Sequence, residues 1–115
     1  MTIKIYHNPR CSKSRQTLQL LEENGAQPEI IEYLKNSPSK EELESVLSLL
    51  GLSPRDLMRK GESVYKELNL KDGELNDEQL LNAMLENPIL IERPIVLANG
   101  KAAIGRPPES VLDIL

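Results

Sequence analysis

Two short strand-like stretches bracket a helical one at the start of this chain, and that arrangement limits the fold more than any other feature. Residues 2–6 alternate around Ile3 and Ile5 as a strand does. Residues 12–24 carry Leu18 and Leu21 near the face that holds Cys11 and Ser14, with Gly25 placed to stop a helix. Residues 29–33, Glu-Ile-Ile-Glu-Tyr, read as a second strand. Strands joined by a helix of this length must run parallel, through a right-handed crossover.

Helical punctuation follows. Ser39 with Glu42 forms a capping box before Leu43, Val46, Leu47 and Leu50, and Gly51 closes that helix. Ser53-Pro54 supplies a cap and a first-turn proline for a short helix expected to run to about Lys60, with Gly61 at its end. Residues 62–70 suggest another helical piece. Asn76 with Gln79 opens a helix expected to bury Leu80, Leu81, Met84 and Leu85, and Pro88 stops it. The texture then changes. Residues 94–98 and 101–104 flank Asn99-Gly100, a strong hairpin signal, and residues 109–115 read as a terminal amphipathic helix. The order is βαβ, a helical block at about 39–88, then ββα. We therefore expect an α/β thioredoxin-like fold with a mixed sheet and a helical insertion between its halves, as one domain over 1–115.

The first 21 residues contain Lys4, Arg10, Lys13 and Arg15 and no acid, so all 18 acidic residues lie from Glu22 onward. A basic patch on a chain of net charge −4 would attract a small anion locally while opposing a general nucleic-acid surface. Tyr6, Tyr33 and Tyr65 are the only aromatic residues, too few for base stacking. No stretch approaches the roughly 18 apolar residues of a membrane span, and the first four residues run straight into a strand pattern. Neither a membrane segment nor a signal peptide is expected. A single cysteine suits a reducing compartment, so the expected location is the cytoplasm and the expected state a monomer.

That cysteine, Cys11, and the only histidine, His7, lie four residues apart in His7-Asn8-Pro9-Arg10-Cys11-Ser12-Lys13-Ser14-Arg15. A thiol at a helix start meets free backbone N–H groups and the positive end of the helix dipole, which favour thiolate. His7 could bond to the thiolate or simply fix the loop. Ser14, one turn on, could donate to the sulfur. No second cysteine is present, so an oxidised Cys11 must be restored by an external thiol. Arg59, Arg93 and Arg106 are candidates for an oxyanion cradle, since guanidinium groups match tetrahedral anions in bidentate fashion. A Cys-x5-Arg phosphatase loop is excluded, because position 17 is Thr17. One Cys and one His do not make a tetrahedral zinc site without several carboxylates, and no Gly-rich nucleotide loop is present.

His7-Asn8-Pro9-Arg10-Cys11 with Ser14-Arg15 resembles the active-site loop of the glutaredoxin-dependent arsenate reductase family. Residues 87–96, Gly105-Arg106-Pro107 and the C-terminal residues 111–115 are similar to that family's later signatures, and Leu57-Met58-Arg59-Lys60 to its helical-insert motif. The resemblance implies that Cys11 attacks arsenate or a similar oxyanion, held by Arg59, Arg93 and Arg106. It implies glutathione as co-substrate, glutaredoxin as partner and no bound cofactor or metal. His7, with Ser14 and Arg15, would stabilise the thiolate, and Pro94 would follow a cis peptide bond. Ser12-Lys13 departs from the glycine and threonine usual in that family. Two rivals remain: a thiol transferase resembling monothiol glutaredoxins, given Cys11-x-x-Ser14, and a redox regulator that binds a protein partner. Ser14 excludes an intramolecular Cys-x-x-Cys switch.

Overall fold

A computed structural model of the chain describes residues 3–115. Four strands form one mixed sheet in the order β2-β1-β3-β4: β1 (Lys4–Tyr6), β2 (Glu29–Ile31), β3 (Ile95–Ala98) and β4 (Lys101–Ile104). β1 and β2 are parallel, with Ile5 opposite Ile30, and α1 (Ser12–Glu23) makes the crossover. β3 runs antiparallel to β1, with Val96 opposite Ile5, and β4 returns antiparallel to β3. The hairpin turn is Asn99-Gly100, both with positive φ (55° and 71°), the pair of left-handed residues that a tight twisted hairpin requires. Position 2, expected at the start of β1, lies outside the described residues.

The chain divides into two compact units. One comprises the N-terminal segment through Asn36 together with Arg93–Leu115, and holds the sheet. Its core joins Ile5, Leu21, Val96, Ala98, Val111 and Ile114, each at most 8% exposed. The terminal segment Pro108–Ile114 is a 3₁₀ helix rather than the expected α-helix. It still buries Val111 and Ile114, because three residues per turn return positions 108, 111 and 114 to one face. β2 is shorter than expected, ending at Ile31, while Tyr33 beyond it is 1% exposed.

The other unit, Ser37–Glu92, contains α2 (Lys40–Leu50), α3 (Pro54–Leu57), α4 (Ser63–Glu67) and α5 (Asp77–Glu86). Both halves of a capping box are formed at Ser39/Glu42, Ser53/Asp56 and Asn76/Gln79, and Gly51 ends α2 at φ 70°. α5 packs against α2 and α3 and buries Leu80, Leu81 and Met84, whereas Leu85 is only partly covered. α3 is shorter than its sequence suggests and does not reach Lys60. Met58 turns extended and bridges to Ile91, Arg59 N–H donates to Leu90 O at 2.7 Å, and Glu92 N–H donates to Leu57 O at 3.0 Å. A strand-like pairing with residues 90–92 thus captures the backbone groups that a longer helix would have used. Residues 62–70 form a helix only over Ser63–Glu67, and the chain then turns through Asn69 at φ 54°.

Candidate active site

Cys11 is the N-cap of α1, with extended backbone (φ −93°, ψ 124°), and its side chain makes no capping hydrogen bond. Its carbonyl accepts the Arg15 N–H, the first rung of the helix, and its N–H donates to Asn8 O at 3.0 Å. The sulfur therefore stands where the first backbone N–H groups of α1 have no intrahelical acceptor. α1 carries no acid in its first turn, so nothing on that turn opposes the positive end of its dipole. The thiol is partly exposed.

Arg106 reaches this sulfur from the opposite end of the chain. Its Nη2 donates to Cys11 Sγ at 3.5 Å, and its Nε donates to Arg93 O at 2.8 Å. One guanidinium is thus anchored on backbone and aimed at the thiol. The Arg93–Pro94 and Arg106–Pro107 peptide bonds are both cis. Gly105 N–H donates to Pro94 O at 2.9 Å, tying the residue before Arg106 to the residue after Arg93.

The loop is buttressed from within. His7 is 6% exposed, and its N–H donates to Ile31 O at the end of β2. Its Nδ1 lies 2.6 Å from Ser14 Oγ, which also accepts the Asn8 N–H at 3.0 Å. Burial favours the neutral imidazole, lowering the His7 pKa; Glu32 opposes that shift and Arg15 adds to it. Ser14, fully buried, directs its hydroxyl to His7 and Asn8, where the sequence suggested the sulfur. The reason is its position: Ser14 lies inside the first turn, whereas Cys11 precedes the helix with extended backbone. Arg15 Nη1 donates to Pro9 O at 2.9 Å and clips the loop from its exposed side.

The structure thus joins Cys11 to Arg106, Arg106 to Arg93, and His7 to Ser14. Arg59 belongs to the helical unit, where its Nη1 pairs with Glu92 at 3.0 Å and its Nε lies 3.6 Å from Glu62. Two further residues escaped the sequence reading. Asn8, 8% exposed, receives the Cys11 N–H on its carbonyl and the Arg10 N–H on its side chain, an Asx-type turn that the Asn-Pro pair does signal. Thr17, the residue that ruled out a phosphatase loop, is fully buried and donates to Lys13 O at 2.8 Å. A Cβ on Gly105 would overlap its hydroxyl and come within 2.8 Å of Pro94 Cγ, so only glycine fits beside Arg106. Nothing local in the sequence pairs residues 17 and 105.

Among the described residues no group of three or more His, Cys, Asp or Glu could hold a metal ion, and no helix is long and apolar enough to cross a membrane. A partly exposed thiol at a helix N-terminus, with a tethered guanidinium at its sulfur, can attack an electrophilic centre that carries anionic oxygens.

Known proteins share this arrangement of chain. The ArsC family model matches residues 6–114. The uncharacterized protein YfgD of Escherichia coli strain K12 is 59% identical over 114 residues, spanning 98% of this chain and 96% of that protein. An arsenate reductase of Neisseria meningitidis serogroup B is 52% identical over 114 residues, covering 98% of this chain and 97% of its own length. The solved structure of an arsenate reductase from Vibrio cholerae superposes with a TM-score of 0.97 at 58% identity, over 100% of this chain and 98% of that one. With its sheet, its helical block and its cysteine loop accounted for over nearly the whole length, the chain belongs to the ArsC family.

Proposed function

We propose that this protein is an arsenate reductase in which Cys11 is the nucleophile and glutathione and glutaredoxin supply the electrons. The observation that carries the reading is the Arg106 guanidinium 3.5 Å from Cys11 Sγ, held by its second hydrogen bond to Arg93 O. A cation so placed can follow negative charge from the sulfur onto an oxyanion as the sulfur attacks. Arg93, in the same unit, joins the proposed oxyanion set, and His7, Ser14 and Arg15 keep the loop in its reactive shape.

In this scheme the Cys11 thiolate forms a sulfur–arsenic bond while one arsenate oxygen leaves as water. Reduction of arsenic from the pentavalent to the trivalent state takes two electrons. They come from two thiols, Cys11 and glutathione, which end as a mixed disulfide while arsenite departs. Glutaredoxin then exchanges with that disulfide and returns Cys11 to the thiol. The absence of a second cysteine is what makes the external thiol necessary. The proposal places the protein in the cytoplasm as a monomer, where a glutathione pool can serve it.

The test is NADPH oxidation coupled through glutathione reductase, glutathione and glutaredoxin. An arsenate-dependent rate is expected, with Cys11→Ser at background. An arsenate-independent rate on a glutathionylated protein, with no arsenate-dependent excess, would instead identify a thiol transferase.

A further inference from the structure

Beside the catalytic loop, and lined by residues of the sheet-bearing unit alone, is a cavity of about 350 Å³. One side is formed by Asn8, Pro9 and Arg10, the three residues directly before Cys11. The other is formed by Glu32, Leu34 and Lys35, which follow β2. Its volume falls at the lower end of the range for small-molecule sites, roughly 300–1,000 Å³. Its lining combines two cations, one carboxylate and two apolar side chains, of which Leu34 is 41% exposed. His7 also lines it, and burial favours its neutral form, so it adds no charge.

We propose that this cavity is the binding site for glutathione, the external thiol that Cys11 needs; the inference rests on the function proposed above. At neutral pH glutathione carries two carboxylates and one ammonium. The cavity presents the reverse set: Arg10 and Lys35 for the carboxylates, Glu32 for the ammonium. Pro9 and Leu34 offer apolar surface to the peptide's methylenes. Glu32 and Lys35 lie 3.7 Å apart as a solvent-exposed pair, with side chains 40% and 76% exposed. Such a pair contributes little by itself, so both ends can turn to a ligand at small cost. Arsenate has no cation for Glu32 to meet and is repelled by it. The cavity therefore separates the two substrates, keeping arsenate at the arginine beside the sulfur and the tripeptide at the wall that leads into Cys11.

The experiment uses S-methylglutathione, whose blocked sulfur cannot react, titrated into the native protein and followed by amide NMR. Saturable shifts are expected at Asn8, Arg10, Glu32, Leu34 and Lys35. In parallel, the charge-swapped variant Glu32→Lys with Lys35→Glu preserves the ion pair and the net charge but reverses its polarity. Its KM for glutathione should rise about fivefold, the scale expected of two solvent-exposed charges, while its KM for arsenate stays within about twofold. Absence of saturable shifts at those amides, or an unchanged glutathione KM in the swapped variant, overturns the site. If arsenate reduction by glutathione proceeds while these amides stay silent, the subsite is wrong and the reductase stands. If the amides respond but no arsenate-dependent rate exists, the subsite stands and the reductase is wrong. Should the swapped variant not fold, the titration of the native chain decides alone.

Discussion

In the helical unit three helices open on the same reciprocal pair, a cap and an acceptor three residues apart: Ser39 with Glu42, Ser53 with Asp56, Asn76 with Gln79. In the sheet-bearing unit the contact that matters most joins Arg106 to Cys11 across 95 positions, and α1 opens on a cysteine with no capping bond at all. One unit spends its polar side chains on its own helix ends. The other leaves a helix end uncapped and brings a distant arginine to it. A capped N-terminus is a satisfied one; an uncapped N-terminus, with a thiol in the cap position, keeps its N–H groups for something else. The difference separates residues that hold the fold from residues arranged for chemistry, and substitutions in the two units should divide accordingly.

The largest effect is expected from Arg106→Ala. Its guanidinium bonds one backbone carbonyl and the Cys11 sulfur from an exposed position. We expect kcat/KM for arsenate to fall about 10²–10³-fold, the scale of losing one preorganised oxyanion donor. The thermal midpoint should move by only a few degrees, since substitutions of exposed residues are usually worth within about 0.5 kcal/mol. A collapse in thermal stability with a proportionate loss of activity would make Arg106 structural and erase the contrast between the units.

Gly105→Ala should be next, and it tests how the distant arginine is delivered. The new methyl would meet the Thr17 hydroxyl and Pro94 Cγ, both packed. Overpacking of this kind costs about 1–3 kcal/mol, readable as a shift in the urea midpoint. Because residue 105 directly precedes Arg106, activity should fall by more than the stability loss accounts for. Gly105→Ala with Thr17→Ala, which removes both the hydroxyl and the methyl that a Cβ would meet, should recover part of both.

Cap removal in the other unit is the counterpart. Asn76→Ala deletes the side-chain acceptor for the Gln79 N–H at the start of α5. A cost of about 1 kcal/mol is expected, with the rate of Cys11 alkylation by iodoacetamide unchanged. A slowed alkylation would mean that the reactive loop depends on that cap.

The same division explains what could be read from the chain alone. The capping boxes, the Gly51 stop, the Asn99-Gly100 hairpin and the parallel β1–β2 pair were legible because each is written within a few residues or follows from connection length. The end of α3 was not legible, since residues 57–59 leave the helix to pair with residues 90–92, a competition that periodicity cannot register. The site was half legible. Cys11 and His7 stand out by being single, and the arginines by their chemistry. Ser14 Oγ meets His7 and the Asn8 N–H, and helix spacing, which puts Ser14 near Cys11, does not reveal that Cys11 sits outside the helix. The steric match of Thr17 to Gly105 spans most of the chain and left no local trace.

The smallest effect is a pH slope, and it tests whether the loop is stabilised by an uncharged His7. Burial lowers the His7 pKa below its ordinary value of 6.5. As pH falls from about 7, the unfolded chain takes up a proton at this position before the folded chain does. The unfolded state then binds more protons, so stability rises with pH across this window and is lost as pH falls through 6.5 toward the folded pKa. Glu32 and Arg15 act on the imidazole in opposite directions, so desolvation governs the sign. Urea midpoints measured between pH 7.5 and about 5.5, above the ordinary range of carboxylates, should decline more steeply for the native protein than for His7→Asn. The difference between the two slopes isolates His7, because the other groups titrate in both proteins. Equal slopes would mean that the imidazole is as easily protonated in the folded loop as in the open chain. The hydrogen bond to Ser14 would then have to hold His7 in both charge states, which its Nδ1 can do only by donating the proton itself.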